Sequence, residues 1–318
     1  MRALVFDHQL RFETHHPLPE VAGGWAQIQV LKAGICGTDL EIINGYKGFR
    51  GVLGHEFVGT VAKCNDSHWI GRRVVGEITI SCGRCGCCVG GMERHCLDRK
   101  VLGILNHDGC MAEYCALPVA NLREVPSGLS DDQAVFTEPL SAACTILQQL
   151  PLEGTERVVV LGDGRLGMLC AWMLSTAVVD VTLIGRHPEK LALASWRHLK
   201  TALEGEGRQG AADVVIEATG RASGLAAAIA LCRPRGTIVL KSTIASRSEI
   251  NLTPLVVNEQ TLIGSRCGRF EDGIRMLQDY PDLPLERLIS ARYPLEQGLA
   301  AFAQAAAPET LKVLIEVS

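Results

Sequence analysis

The segment Lys32–Gly59 reads KAGICGTDLEIINGYKGFRGVLGHEFVG, and it sets a thiol (Cys36), a hydroxyl (Thr38), an imidazole (His55) and a carboxylate (Glu56) within one glycine-punctuated stretch. A thiolate, an imidazole and one further donor are the ligand types of an open zinc site. In such a site three protein groups hold the ion, and a fourth position stays free for an oxygen of water or substrate. A hydroxyl two residues after the thiol is placed to carry a proton away from that oxygen. Alternatively, Cys36 is an ordinary buried thiol, since free cysteine is among the most buried residue types. The segment by itself leaves both readings open.

A second cluster carries a sharper pattern. Cys82–Cys96 reads CGRCGCCVGGMERHC, with Cys82, Cys85, Cys88 and Cys96 at steps of three, three and eight. Two C-x-x-C steps and a fourth thiolate a short loop away close a tetrahedron of sulfur around Zn²⁺ with no open position, so this site is structural. The competing reading is a disulfide-forming or redox-sensing cluster built on Cys85, Cys87 and Cys88; an intracellular setting weighs against it. Cys87 reads as a bystander. Further on, Glu138 interrupts an apolar helical segment between Phe136 and Leu140. A carboxylate there is costly to bury without a partner, so it is a metal ligand, a partner to one, or a group reaching solvent from an exposed turn.

The third feature is Gly162-Asp163-Gly164-Arg165-Leu166-Gly167, which follows the apolar run Arg157–Leu161 and opens an apolar helix. A G-x-G-x-x-G in that context is a dinucleotide turn. Gly162, Gly164 and Gly167 permit the tight turn and the approach of a pyrophosphate to the helix start, where Arg165 and Leu166 lie. The second strand, Asp180–Ile184, ends in Gly185-Arg186-His187. An NAD site would place an acid there for the ribose 2′-hydroxyl. A small residue with Arg186 and His187 suits a 2′-phosphate and predicts NADP over NAD; the alternative is a solvated Arg186. Arg266, after the last sheet strand, is a candidate for the nicotinamide or substrate. Lys47 and Arg50, if they face inwards, would favour an acidic or phosphorylated substrate.

These groups need a scaffold, and the chain supplies two patterns. Residues 1–125 carry short apolar runs at Ala3–Phe6, Ala26–Ala33, Gly59–Lys63, Arg73–Gly76 and Met111–Leu117, which predict a small antiparallel β domain with long loops. Residues 130–150 read as one helix, capped by Ser130 with Asp131 and Asp132 in its first turn. From Arg157 strands alternate with helices, which predicts a parallel, doubly wound sheet: Arg157–Leu161, Asp180–Ile184, Asp213–Glu217, Thr237–Leu240 and Thr261–Gly264. A helix over Arg269–Asp279 and a closing strand over Leu311–Val317 follow, the last returning to the first domain. The expected class is α/β, with a discontinuous β-rich domain over 1–128 and 268–318 and a cofactor domain over 129–267.

Bulk properties narrow the function. The chain has 318 residues, 47% hydrophobic and 21% charged, with a formal net charge of −4. Two domains fit that length, and the absence of a basic tract argues against nucleic acid as a partner. The N-terminus lacks the apolar core of a signal peptide, and no apolar run approaches the ~20 residues of a membrane helix. The chain reads as cytoplasmic and not membrane-bound. Thirteen cysteines, several of them crowded into one loop, suit metal binding there.

Taken together, GICGTD around Cys36, GHEFVG around His55, the four-cysteine loop, TEPLSA around Glu138 and VLGDGRLG resemble the zinc-dependent medium-chain dehydrogenase/reductase family, which contains alcohol, sorbitol and threonine dehydrogenases. The resemblance spans nearly the whole chain. It implies a GroES-like catalytic domain, a Rossmann cofactor domain, a cleft between them, and two zinc ions per chain. It assigns the catalytic zinc to Cys36 and His55, with Glu138 and Glu56 competing as third ligand, and Thr38 to a proton relay. It also implies a homodimer or homotetramer acting on a secondary alcohol, polyol or sugar derivative. One departure stands out: many members carry a relay histidine three residues after the hydroxyl, and this chain has Glu41, which either serves as a base or is simply solvated. Two alternatives follow, a non-catalytic NADP- and zinc-binding protein that retains the fold, and an NAD-dependent polyol dehydrogenase.

Overall fold

The strand at the centre of the first domain is the ten-residue run WAQIQVLKAG. In the computed structural model, which describes residues 1–243 and 249–318, alternate residues of its first half are buried. Strands β1 (Ala3–Asp7) and β2 (Gln9–Glu13) form an antiparallel pair ahead of it. The central strand is β3 (Trp25–Gly34), followed by helix α1 (Gly37–Ile43), β4 (Gly51–Val52), β5 (Glu56–Cys64) and β6 (Arg73–Gly76). The short β7 (Thr79–Ile80) and β8 (Lys100–Val101) pair with each other, and α2 (Gly86–Val89) lies between them in sequence. β9 (Tyr114–Pro118) and β10 (Leu122–Glu124) complete this part, β9 pairing with β3.

The expected helix over 130–150 is two helices, α3 (Asp131–Val135) and α4 (Thr137–Gln149). Ser130 caps the first in a capping box: its hydroxyl accepts from Gln133 N at 3.2 Å, and Gln133 Oε1 accepts from Ser130 N at 2.9 Å. The pattern of apolar residues runs through the break at Phe136, so periodicity alone does not reveal it.

The second unit is a parallel sheet of β11 (Arg157–Leu161), β12 (Asp180–Gly185), β13 (Lys200–Leu203), β14 (Ala212–Glu217), β15 (Cys232–Leu240) and β16 (Thr261–Gly264). They lie in the order β13-β12-β11-β14-β15-β16, the 3-2-1-4-5-6 order of the doubly wound dinucleotide fold. Helices α5 (Arg165–Leu174), α6 (Pro188–Leu193), α7 (Gly224–Leu231), α8 (Thr253–Val257) and α9 (Phe270–Asp279) connect or follow them. Lys200–Leu203 was not expected as a strand, because KTAL is short and mostly exposed at the sheet edge. The chain closes with β17 (Ile289–Pro294), α10 (Gly298–Ala305) and β18 (Lys312–Glu316), and β18 pairs antiparallel with β3. No described helix is long and apolar enough to cross a membrane.

The two compact units are Met1–Glu138 with Ile289–Ser318, and Pro139–Leu288. The first is discontinuous, but its edges differ from the expected 128 and 268. Residues 129–138 fold with the first unit because α3 packs on β3 and β5. Residues 268–288 fold with the second: the Asp272 carbonyl accepts from Cys144 Sγ at 3.9 Å, and Asp282 Oδ2 accepts from Trp196 Nε1 at 2.9 Å.

Asp132 joins three elements of the first unit. Lys32 Nζ lies 2.6 Å from Oδ1 and Arg292 Nη2 lies 2.6 Å from Oδ2. Burial works to raise this carboxyl, but the two cations outweigh it and hold it below its ordinary value. A depressed folded value means the stabilisation is present above the unfolded carboxyl pKa, ~3.9, and disappears as pH falls through the lower folded value. Asp132→Asn is expected to cost about 1 kcal/mol at pH 7, the partners being partly solvated. Thermal unfolding should show that deficit at pH 7 and a much smaller one near pH 2.

Candidate active site

Antiparallel register brings the first cluster together. Gly34, the last residue of β3, sits opposite Glu56, the first residue of β5. Cys36 therefore emerges from one strand end beside His55 and Glu56 at the start of its neighbour. One ligand atom each of Cys36, His55 and Glu56 lies within 4.8 Å of the others. His55 and Glu56 are 3% and 1% exposed. Thr38 Oγ1, on the first turn of α1, is 3.8 Å from Cys36 Sγ, and Glu41 follows one turn later, half-buried, on the same helix.

Asp39 is the residue here that sequence reasoning missed. It is fully buried; its Oδ2 accepts from Cys36 N at 2.8 Å, and its Oδ1 faces His55 Nδ1 at 3.2 Å without hydrogen-bond alignment. Burial disfavours a charged His55, but Asp39 and Cys36 outweigh it and raise the imidazole pKa well above its usual value. A carboxylate behind Nδ1 leaves Nε2 for the ion and orients the ring. The signal was present as the acid three residues after Cys36, the spacing of a side chain that reaches back to a helix N-cap.

Glu56 is held from the far end of the chain. Lys312 Nζ pairs with Glu56 Oε2, and both side chains are completely inaccessible to solvent. Lys312 also lies 3.4 Å from the Ile35 carbonyl and 5.7 Å from the centroid of the Phe136 ring. A Cβ on Gly34 would stand 2.5 Å from Glu56 Oε2, so a glycine on the middle strand lets groups from its two neighbours meet across it. Glu56 Oε1 has no hydrogen-bond partner among the described residues. A thiolate, an imidazole and an unpartnered buried carboxylate oxygen fit a zinc-type ion. Glu138 is buried at the start of α4 and lies outside this cluster, so of the two carboxylates weighed as third ligand the geometry brings in Glu56.

Cys82, Cys85, Cys88 and Cys96 converge as expected, and Cys87 stays out of the group. Their Sγ atoms are 3.5 Å (Cys85–Cys88), 3.8 Å (Cys85–Cys96) and 4.0 Å (Cys82–Cys88) apart. Zn–S bonds of ~2.3 Å give a tetrahedral edge of about 3.8 Å, so the four fit zinc. Backbone N–H groups of Leu97 and Cys88 pull the Cys85 thiol down to about 6, while burial pushes Cys88 up to about 12. All thirteen cysteines are unbridged.

In the second unit each glycine of the dinucleotide turn has a distinct reason. Gly162 has φ +124° and a Cβ there would stand 2.5 Å from the Ala218 carbonyl oxygen. A Cβ on Gly167 would lie 1.8 Å from the Gly162 carbonyl oxygen, which lets α5 pack onto the turn, whereas Gly164 faces open space at the N-cap of α5. That open cradle at a helix start fits a pyrophosphate. Arg165 and Leu166 are the first two residues of α5.

The ribose end holds a surprise in Asp163. Its Oδ2 accepts from Arg186 N and His187 N, both at 2.7 Å, and lies 2.9 Å from His187 Nδ1. Those donors overcome burial and hold its pKa low. A Cβ on Gly185 would meet Asp163 at 2.4 Å. The small residue expected to make room for a phosphate makes room for Asp163. Arg186 Nε is 3.9 Å from Glu204 Oε2, and Arg221 Nη2 lies 3.0 and 3.1 Å from the two oxygens of Glu204. The Arg266 side chain is exposed, and its carbonyl accepts from Lys241 Nζ at 2.9 Å. Lys47 and Arg50 are both exposed, Lys47 over the Tyr46 ring and Arg50 3.5 Å from Asp7.

Comparison with known proteins places both units. Residues 22–127 match the alcohol dehydrogenase GroES-like domain, and residues 132–317 match the glucose dehydrogenase C-terminus. The chain is 27% identical to a 2-dehydro-3-deoxy-L-galactonate 5-dehydrogenase of Pseudoalteromonas atlantica, covering 96% of this chain and 94% of that one. An alcohol dehydrogenase from Escherichia coli CFT073, complexed with NADH, superposes with a TM-score of 0.89 at 25% identity, over 100% of this chain and 99% of that one. A protein of Sinorhizobium meliloti 1021, described as a zinc-binding dehydrogenase and bound to NADP, has a TM-score of 0.89 at 26% identity, over 99% of both.

Lys312→Met leaves Glu56 buried without its cation and is expected to cost about 3–5 kcal/mol. Lys312→Met combined with Glu56→Gln removes both charges and should recover most of that loss. Chemical denaturation of the four members of this cycle measures the coupling.

Proposed function

The chain belongs to the zinc-dependent medium-chain dehydrogenase/reductase family, and from that premise we propose that it catalyses reversible hydride transfer between a secondary alcohol, a polyol or a sugar derivative and NADP. The observation that carries the proposal is the Cys36–His55–Glu56 cluster, its imidazole and carboxylate buried, in a chain that also holds an open dinucleotide cradle. Zinc in such a site supplies Lewis acidity toward an alcohol oxygen, and a nicotinamide supplies the hydride acceptor.

The chain's own groups divide the remaining work. Cys36, His55 and Glu56 hold the ion, Asp39 orients His55, and Lys312 anchors one oxygen of Glu56. Thr38 Oγ1 takes the proton of the substrate hydroxyl, and Glu41, a turn further along α1, receives it in place of an imidazole. The turn Gly162–Gly167 and the start of α5, with Arg165 and Leu166, hold the cofactor pyrophosphate. Arg186 and His187 favour a 2′-phosphate, and Arg266 is assigned to the nicotinamide end. Cys82, Cys85, Cys88 and Cys96 hold a second, structural zinc. A sugar-acid relative supports a polyhydroxylated substrate.

Assembly as a homodimer or homotetramer belongs to the same proposal. It is supported by Leu252, Val256, Val257 and Leu262, exposed at the N-cap of α8, on α8 and on the sheet-edge strand β16. Unbridged cysteines support a cytoplasmic setting. A second reading, NAD as the preferred cofactor, is favoured by Glu204, an exposed carboxylate beside Gly185 at the ribose end.

Metal analysis of the purified protein should find two zinc ions per chain. Cys36→Ser should lose one of them and at least about a thousandfold in kcat/KM, the scale of a Lewis-acid contribution of several kcal/mol. Cys85→Ser should lose the other ion and lower the melting temperature. Turnover that survives intact in Cys36→Ser would sink the metal mechanism. Glu41→Gln is expected to lower kcat about a hundredfold with zinc content unchanged; an unaltered kcat would remove Glu41 from the relay. A panel of secondary alcohols, polyols and sugar acids run with each cofactor should give the lower KM with NADP, and a clear NAD preference would overturn that assignment.

A further inference from the structure

Position 185, at the end of β12, is where a dinucleotide fold offers an acid to the ribose 2′-hydroxyl, and here it is glycine. Two carboxylates nevertheless stand around that turn, and they differ in what they do. Asp163 is spent inside the protein: three donors of the Arg186–His187 turn converge on one of its oxygens. Glu204 is at the surface, 36% exposed, just past β13, and its backbone N–H donates to the Gly185 carbonyl at 2.7 Å. That bond fixes it directly beside the vacant acid position.

Glu204 is flanked by cations on two sides. Arg221, which follows β14, reaches both of its oxygens at 3.0 and 3.1 Å, and Arg186 lies 3.9 Å away. Two guanidinium groups from separate loops therefore share one carboxylate at the site where a 2′-phosphate would bind. Arginine pairs of this kind match phosphate geometry. A dianion entering the site gains both guanidinium groups only by displacing Glu204, and it meets that carboxylate's repulsion on the way.

We propose that Glu204 is a specificity-determining residue that sets NADP against NAD by acting as an internal anion between Arg186 and Arg221. The inference rests on the reading of this turn as a dinucleotide site. Glu204 keeps the two arginines positioned and partly neutralised when no phosphate is present, and it weakens 2′-phosphate binding relative to what the arginines alone would give. Neither the signature glycines nor the end of β12 reveals this, because Glu204 arrives from a different strand.

Binding of 2′,5′-ADP, 5′-AMP, NADPH and NADH to the zinc-loaded protein and to Glu204→Gln, measured by calorimetry and nicotinamide fluorescence, tests it. Glu204→Gln is expected to tighten 2′,5′-ADP and NADPH about tenfold, with 5′-AMP and NADH changing less than about twofold. The gain should shrink at high salt, because the group is solvated and its repulsion is screened. Adding Arg221→Gln should abolish the gain. Unchanged 2′,5′-ADP affinity would overturn the inference. So would a loss of NADH affinity, which would make Glu204 the acceptor for a ribose hydroxyl instead. If the wild-type protein bound none of the four ligands, the dinucleotide reading itself would fail, an outcome separate from a failure confined to the variant.

Discussion

The Cys36–His55–Glu56 cluster depends on one antiparallel register, Gly34 opposite Glu56. It brings Cys36, two residues beyond the end of β3, beside the start of β5, where His55 and Glu56 lie. The same strand pairs on its other side with β18, Leu314 opposite Gly34. Continuing that register sets Lys312 opposite Cys36, so three strands from distant parts of the chain deliver their groups to one buried spot. Gly34 is the condition for this. Any side chain there would occupy the space in which Glu56 and Lys312 meet, and a slip of one residue would turn the donors to opposite faces of the sheet.

Buried or crowded charges are paired within each unit. Burying Glu56 is tolerable because Lys312 neutralises it, and a buried pair of this kind is worth less as stabilisation than as an arrangement that fixes where each group points. Asp39 plays a parallel part for Cys36 and His55. In the second unit Asp163 and Glu204 take up the donors and cations around the Arg186–His187 turn, one inside the protein and one at its surface. The contrast is physical. Asp163 is saturated by backbone and imidazole donors that no ligand can easily replace, whereas Glu204 is solvated and exchangeable. The four-cysteine cluster follows another logic, in which short spacing alone brings the thiols together because all four come from one loop.

Much was legible in the sequence because it is local. The G-x-G-x-x-G turn, the C-x-x-C steps and the alternation of strands and helices each place their residues within a few positions of one another, so backbone geometry converts spacing directly into structure. The strand Lys200–Leu203 and the break at Phe136 escaped because neither short polar strands nor an uninterrupted apolar run carries a distinguishing period. The edges of the units moved for a related reason: α3 is held by Asp132 to Lys32 and Arg292, partners from remote segments.

By itself, then, the sequence determined the ligand types, the dinucleotide turn, the two-part α/β architecture and the family. Only the tertiary structure brings Glu56, rather than Glu138, within 4.8 Å of Cys36 and His55. It also gave Gly185 a role beside Asp163 and set Lys47 over Tyr46 and Arg50 near Asp7. Asp39, Lys312, Glu204 and Arg221 acquired their parts in the same way. Those decisions turn on which side chains meet across strands and loops separated by tens to hundreds of residues. Spacing along the chain fixes the chemistry a segment can offer, while register and packing fix the partner it is offered to.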